Sequence, residues 1–559
     1  MGAWPLMANV SRRGSVIRGI EMIITYQDGK LKIRMGYNPD KIDLIKQAPD
    51  GRRWNKRNRE WELPGTADNI EFLMREFRID SPELAAKLAQ LKSPLQSIPD
   101  VQMDWRCKPF KHQIDGLRIC LANDAKALFY EQGLGKSLVA IKEIEYRITA
   151  GHIKRALIVA PKTVLTAWQI EFRKYSDIKP TVIGGAKRLQ LLSQAVVALI
   201  NYDLLLPMKD QLAGFDMIVF DESQMIKNHT AKRSRIAYAL AKQIKYRLLL
   251  TGTPIGNSAA DIFSQFKVLD ESIFGTNFYC FRNKYFRDMG HGFPDWRVVP
   301  VLLPEIKAKM ALRSLRLKKE DALDLPEKLY TIQTVDASPE QRRVYRDIEK
   351  QLYTEIEGQE IAFHFLLTKN IKINQICSGF LKYENETIEI EHEKLKALKQ
   401  IVDDYDGKIV IWTIFLHDIE KIMETFAGQV VKIDGSMIRN DQRAEAIDAF
   451  QTGDKKIIVL QEQAGSLGIT LTAGHLCIFY SRSYSLLNRL QAEDRLHRIG
   501  QRNPVTYIDL ILKDSIEELI IETVEEKRML AGFLQGDFED IIIEKFKKKF
   551  SLDNKYSVK

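Results

Sequence analysis

Residues Glu131–Ser137 read EQGLGKS; they follow the apolar run Ala127–Tyr130 and open into the helical pattern SLVAIKEIEY. Strand, glycine loop and helix in that order present backbone amides to a phosphate group. Gln132, Gly133, Leu134 and Gly135 would form the wrap, with the two glycines letting the backbone come close. Lys136 would neutralise the β- and γ-phosphates, and the Ser137 hydroxyl would ligate Mg²⁺. A full loop of this kind carries a glycine where Tyr130 stands. About 85 residues on, the apolar run Met217–Phe220 ends in Asp221-Glu222-Ser223-Gln224. An acidic pair at the carboxyl end of a buried strand suits metal-assisted nucleotide hydrolysis. Asp221 would hold Mg²⁺ through water, and Glu222 would orient and deprotonate the attacking water. Either motif alone also occurs as an ordinary loop or a solvated strand end. The pair together carries the reading.

Such residues need a sheet to hold them. Between about 105 and 275, β-rich runs (Ala156–Ala160, Ala195–Ile200, Met217–Phe220, Arg247–Leu250) alternate with helical patterns. The alternation returns from about 395 to 515 with Ile409–Trp412, Gln429–Ile433, Lys456–Leu460, Cys477–Tyr480 and Thr506–Leu512. Short apolar runs separated by helices predict parallel sheets covered on both faces. The stretch between them reads as largely helical, with few strand signals after Asp261. Ahead of both, Met22–Gln27 and Lys30–Met35 alternate around Asp28–Gly29 as a hairpin. Asn38–Pro39 opens a short helix, and another is expected around Ile70–Phe77.

Composition narrows the class. A 559-residue chain with 45% hydrophobic and 28% charged residues is a multidomain globular protein. Its apolar runs are about half the length of a membrane span, and the first residues fit neither a signal peptide nor a myristoylation site. Five scattered cysteines without C-x-x-C spacing point to a reducing compartment and away from a disulfide frame or structural zinc. The net charge of +10 favours a polyanionic partner. It is concentrated in Arg52–Arg59 (RRWNKRNR) and in the tail Lys545–Lys559, though a solvated face and a frayed terminus are the plain alternatives.

EQGLGKS, DESQ, Leu250-Thr-Gly-Thr-Pro254 and Gln491-AEDRLHRIG-Gln501 stand in the order seen in superfamily-two helicases. Their details resemble the Swi/Snf family of ATP-driven double-stranded DNA translocases, over residues 105 to 530. The resemblance implies two RecA-like parallel-sheet α/β lobes with helical protrusions between them, preceded by a small α+β domain. The boundaries are a leader at 1–20, the small domain at 21–80, helix and linker at 81–104 and lobe one at 105–275. Protrusions follow at 276–394, lobe two at 395–530 and a basic tail at 531–559. ATP and Mg²⁺ are the implied cofactors. By the same resemblance Gln113 would read the adenine edge, and Gly468 would line the nucleotide. Arg495 and Arg498, spaced for one helix face, would stabilise charge on the transferring phosphate. Thr251 and Thr253 would couple nucleotide state to lobe movement, while Gln491 and Asp494 organise the interface.

Duplex contacts are expected from Lys162-Thr163, Asn201-Tyr202, Trp412-Thr413, Gly435-Ser436 and Gly465-Ser466, each of which also reads as a plain strand-end turn. Trp168 and Trp412 read as core residues. Arg52, Arg53, Trp54, Lys56 and Arg57 interleave aromatic and basic groups as stacking and phosphate contact require. The W-x₆-W-x-L-P segment around Trp54 and Trp61 is similar to the HARP domain of annealing helicases, which rewind DNA and remodel forks. A hairpin with two core tryptophans is the alternative. Expected partners are therefore double-stranded or branched DNA, with a single-strand-binding protein or polymerase as an open addition. The expected setting is cytoplasmic and nucleoid-associated, in a bacterium, archaeon or virus. Two rivals stay open: a motor that displaces DNA-bound proteins or serves a defence system, and a non-motor nucleotide switch.

Overall fold

The computed structural model describes residues 22–27, 29–98, 101–256, 258–290, 296–323, 325–354, 363–383, 386–437, 440–463 and 469–535. The expected leader, most of the basic tail, and Gly465, Ser466 and Gly468 lie outside the described residues.

In the amino-terminal domain the alternating runs become β1 (Met22–Gln27) and β2 (Lys30–Met35), which pair antiparallel and bury Ile24, Leu31 and Ile33. With β3 (Arg53–Asn55) and β4 (Glu60–Pro64) they form a sheet in the order β1-β2-β4-β3. Helices Pro39–Ile45, Ala67–Glu76 and Pro82–Lys92 pack with it. Their caps are as the residue types dictate: Asn38, Thr66 and Ser81 each accept an N–H from the first turn. Leu84 and Leu91 join the same core as Ile70 and Leu73, so the helix assigned by sequence to a connector completes this domain.

Lobe one holds β5 (Ala125–Tyr130), β6 (Ala156–Ala160), β7 (Thr181–Val182), β8 (Val197–Asn201), β9 (Met217–Asp221) and β10 (Tyr246–Leu250). After the β11 (Phe286–Asp288)–β12 (Trp296–Val298) hairpin the chain returns as β13 (Ser314–Leu317). All seven pair in parallel, in the order β13-β5-β10-β9-β6-β8-β7. Lobe two begins at β14 (Lys328–Val335) and, after the β15 (Phe380–Tyr383)–β16 (Glu386–Glu389) hairpin, adds β17 (Lys408–Thr413), β18 (Val430–Ile433), β19 (Ile457–Gln461), β20 (Gly474–Phe479) and β21 (Val505–Leu512). Its parallel order is β14-β21-β20-β17-β19-β18. Both sheets carry buried apolar clusters on each face, as β5, β6 and β19 show with rows of fully buried residues.

Six strands, β11 to β16, fall inside the stretch read as helical, and two of them join the lobe sheets. β13 closes the lobe-one sheet beside the phosphate-loop strand, and β14 forms the edge of lobe two. Both are half-exposed and rich in charge or hydroxyls, so they lack the apolar signature of central strands. The lobes are therefore joined by a short crossing at 318–327. They also meet through helix Ile516–Gln535, whose Ile520 and Val524 are buried in the cluster that holds Leu303, Ile306 and Met310.

The amino-terminal domain is docked on lobe one. Asp68 accepts from Lys284 (2.5 Å) and Lys309 (2.6 Å), and Lys284 also donates to Glu305 (2.8 Å). Beside them the backbones come close: a Cβ on Gly275 would stand 3.1 Å from the Asp50 Cβ, and one on Gly51 would stand 3.2 Å from the Cys280 sulfur.

Candidate active site

The buried strand β5 delivers the chain to a turn at Glu131–Gly135, and a helix starts at Lys136 and runs to Thr149. Gly133 (φ 87°) and Gly135 (φ 81°) both adopt left-handed backbone. Gly135 has a second reason to lack a side chain, because a Cβ there would strike the Gln113 amide. The Lys136 ammonium folds back onto the Tyr130 (2.6 Å) and Glu131 (3.2 Å) carbonyls. Burial pulls it below the ordinary lysine value, against the opposing charges of Glu222 and Asp221. Tyr130 buries its ring and donates to the His112 carbonyl (3.3 Å), so the missing glycine is replaced by a packing residue. Gln113 is buried beside the loop, taking the Phe110 N–H (3.0 Å) and donating to the Leu134 carbonyl (3.4 Å).

Asp221 ends β9 and faces the same loop. The Trp168 indole donates to its Oδ2 (2.8 Å), and the Glu222 N–H to its Oδ1 (3.0 Å). Burial first, and the neighbouring Glu222 charge second, push its carboxyl up to about 7. Glu222 stands at φ 51°, ψ 55°, a left-handed conformation that a non-glycine residue adopts only where its surroundings hold it. The holder is a relay: Gln224 donates to Glu222 Oε2 (2.7 Å), Thr251 donates to Gln224 Oε1 (2.7 Å), and the Thr253 N–H donates to Thr251 (3.0 Å). The LTGTP threonines thus connect to Glu222 through Gln224. Ser137 donates to Glu171 on helix Leu165–Tyr175, whose carboxyl burial raises and Ser137 holds back.

Lobe two brings its arginines to the other wall. Arg495 lies in the last turn of helix Leu486–Leu496, but Arg498 lies beyond the helix end, ahead of a turn at Gly500 (φ 103°). One helix face therefore does not carry both, as their spacing alone predicted. They still face lobe one together. The charge of Glu222 acts on Arg495 and that of Glu171 on Arg498, and burial lowers both guanidinium values. Arg495 is buried, and among the described residues its Nε has no hydrogen-bond partner. Lys319, immediately after β13, spans the gap. Its N–H donates to Glu131 Oε2 (3.0 Å), while its ammonium donates to Asp494 Oδ1 (2.7 Å) and the His497 carbonyl (2.6 Å). A cavity of about 550 Å³ opens there, lined among others by Gln132, Thr253, Lys319, Asp494 and His497.

Trp168, Glu171, Gln224 and Lys319 were not assigned to the site from sequence. Trp168 and Glu171 sit one turn apart on one helix, which is a visible signal, but their targets, Asp221 on β9 and Ser137 on the helix after the phosphate loop, lie elsewhere in the chain. Lys319 shows no signal in sequence, because both of its partners are distant along the chain.

The expected DNA-contacting residues divide. Arg52, Arg53, Lys56 and Arg57 are exposed around the edge strand β3, and Trp54 is 43% exposed with its ring 5.3 Å from Trp61. Trp61 packs against the domain core, so one tryptophan is structural and the other is open. Lys162, Thr163, Gly435 and Ser436 are exposed at strand ends. Asn201 caps the turn after β8, taking the N–H groups of Asp203 and Leu204 (both 3.1 Å). Thr413 is a correction. It is fully buried, its hydroxyl donating to Asp418 (2.5 Å) and sharing a bond with Ser481 (2.7 Å), because the buried Asp418 carboxylate draws in the nearby hydroxyls. Trp412 is core, as expected, at 1% exposure.

Two parallel-sheet α/β lobes, with a glycine loop on one wall of the cleft and arginines on the other, define a helicase-type two-lobed fold. The comparisons agree: residues 112–382 match the SNF2-related domain and residues 393–500 the helicase conserved C-terminal domain. The chain belongs to the Swi/Snf-related helicase family. It is 27% identical to a Caenorhabditis elegans SWI/SNF-related matrix-associated actin-dependent regulator of chromatin subfamily A-like protein 1 homolog, over 88% of this chain and 72% of that protein. The Xenopus tropicalis protein of that name is 25% identical over 95% of this chain and 58% of its own length. The chain thus spans between about half and three quarters of these relatives. A solved Sulfolobus solfataricus SWI2/SNF2 ATPase core in complex with dsDNA is 25% identical, with 79% of this chain and 96% of that one covered and a TM-score of 0.39.

Proposed function

We propose that the protein is an ATP-driven motor that translocates along duplex DNA, and that its amino-terminal domain directs it to branched DNA for annealing or fork remodelling. The observation that carries this reading is the facing pair of walls: Lys136, Asp221 and Glu222 on lobe one, Arg495 and Arg498 on lobe two.

The residues present fit ATP with Mg²⁺. The loop has two left-handed glycines and open space at Gly133, and Arg495 keeps a buried donor without a partner among the described residues. When bound, the metal nucleotide supplies the phosphoryl group to be cleaved and the cation that offsets its charge. Loop amides at the helix start would hold the phosphates, and Lys136 would leave its own loop carbonyls to meet them. Asp221, oriented by Trp168, would hold the cation, with Ser137 turning from Glu171 to join it. Glu222, fixed by Gln224, would take a proton from the attacking water. Arg495 and Arg498 would complete the site only when the lobes are together, which links hydrolysis to lobe movement.

Exposed Lys162, Thr163, Gly435 and Ser436 offer phosphate contacts without base reading. The Arg52–Arg57 edge with its open Trp54 suits single-strand or junction DNA. A surface variant, Arg52→Glu with Trp54→Ala, tests the second half of the proposal. Its ATP hydrolysis on plain duplex should match wild type while any excess rate on forked DNA disappears. Equal fork stimulation in both proteins would refute the targeting role.

A further inference from the structure

An arginine from one lobe can stabilise charge on a nucleotide held by the other only if it is not already paired. The competing partner here is Asp494, one residue before Arg495 and four before Arg498, whose charge acts on both guanidinium groups and on Lys136. Left alone, a carboxylate this near in the chain to two arginines can form an ion pair with either guanidinium. In the structure Asp494 is bound instead to Lys319 (2.7 Å), a residue only 3% exposed. Lys319 also holds the carbonyl of His497 (2.6 Å), so it grips the chain on both sides of Arg495 and just ahead of Arg498. Its backbone N–H is fixed to Glu131, the first residue of the phosphate loop, and the Glu131 N–H donates to the Leu317 carbonyl (3.0 Å) at the end of β13. A second tie follows along the crossing, where the His497 ring meets the Pro326 carbonyl at 2.7 Å.

We propose that Lys319 is a positioning residue of the ATPase site. It captures Asp494 so that neither Arg495 nor Arg498, which donates to the Ile469 carbonyl (3.3 Å), is tied to that carboxylate, and it sets the distance from the phosphate loop to the arginine-bearing turn. The inference rests on the ATPase reading above. It adds a role for the strand-to-strand crossing, which otherwise only connects the lobes.

The test is steady-state ATP hydrolysis with saturating duplex DNA by wild type, Lys319→Met, Asp494→Asn and the double variant, each checked for a native thermal transition. Losing the captor frees Asp494 to pair with an arginine, and misplacement of a catalytic group by about an ångström can cost roughly 10²-fold. Lys319→Met should therefore lower kcat about 10- to 100-fold while KM for ATP changes less than about threefold. Adding Asp494→Asn to it should restore kcat to near that of Asp494→Asn alone, because no carboxylate remains to compete. A merely structural bridge predicts the opposite, with the double variant at least as impaired as Lys319→Met. That result, or a Lys319→Met enzyme with wild-type kcat, overturns the proposal while leaving the ATPase reading intact. A wild-type protein inert with every DNA overturns both.

Discussion

Replacing Asp68 by Asn should loosen the amino-terminal domain from lobe one. The Asp68 carboxylate accepts from Lys284 and Lys309 with only 15% of its side chain exposed, so solvent screens these bonds weakly. Hydrogen bonds to charged groups are worth about 1.5–3 kcal/mol each, and a neutral acceptor supports roughly half of that. Asn keeps the shape and one acceptor, and Lys284 keeps Glu305 at 2.8 Å, so the net loss is about 1.5–3 kcal/mol rather than that of an orphaned pair. The docking equilibrium should shift about 10- to 150-fold. The assay is hydrogen exchange on the full chain, read at Phe278–Tyr285 and the preceding turn. Exchange there should quicken by that factor in the variant, while the strands of lobe two stay unchanged. Acid gives an independent check. Burial alone would raise the Asp68 carboxyl, but Lys309 and Lys284 outweigh it and hold the value below the usual range. Its contribution is thus complete above the unfolded value of about 4 and lost as pH falls through the lower folded value. The Asn variant should lack that acid step. Identical exchange at Phe278–Tyr285 in both proteins would refute the reasoning.

Other consequences follow from single contacts. Gln224→Leu removes the donor that fixes Glu222 Oε2, and should lower kcat about 10- to 100-fold with KM for ATP little changed, a loss of roughly 1.5–3 kcal/mol. Asp418, whose carboxyl burial raises to about 6, holds its proton more tightly folded than unfolded. Its contribution is best below about pH 4 and erodes as pH rises through 6, so urea titrations should show Asp418→Asn gaining up to about 3 kcal/mol on wild type between those limits. Lys394 and Glu517 are fully buried and 2.5 Å apart. Lys394→Met should cost about 3–5 kcal/mol of lobe-two stability by leaving Glu517 unpaired, measurable as a lower thermal midpoint.

What could be read in the chain depended on how local each signal was. The phosphate loop, the acidic pair and the central strands announce themselves because each is a short contiguous pattern. β13 and β14 do not: as edge strands they are half-exposed, and only their pairing with β5 and β21 makes them strands. Trp61 and Trp54 are indistinguishable by type; they stand opposite one another, and only Trp61, nearer the middle of the sheet, packs against the domain core. Thr413 looked like a strand-end hydroxyl for phosphate, but Asp418, five residues on, turns it inward. Arg498 matched a helical spacing with Arg495, yet the helix stops at Leu496 before reaching it. The parts that escaped, Glu171 with Ser137 and Lys319 with Asp494, are contacts between segments far apart in the chain, and no local pattern encodes them.

The central claim is that hydrolysis at this cleft is coupled to DNA. It is tested most directly by ATP turnover without DNA, then with single-stranded, duplex and forked DNA, for wild type, Lys136→Ala and Glu222→Gln. Duplex or forked DNA should strongly stimulate the wild type and neither variant. Equal turnover with and without every DNA would contradict it.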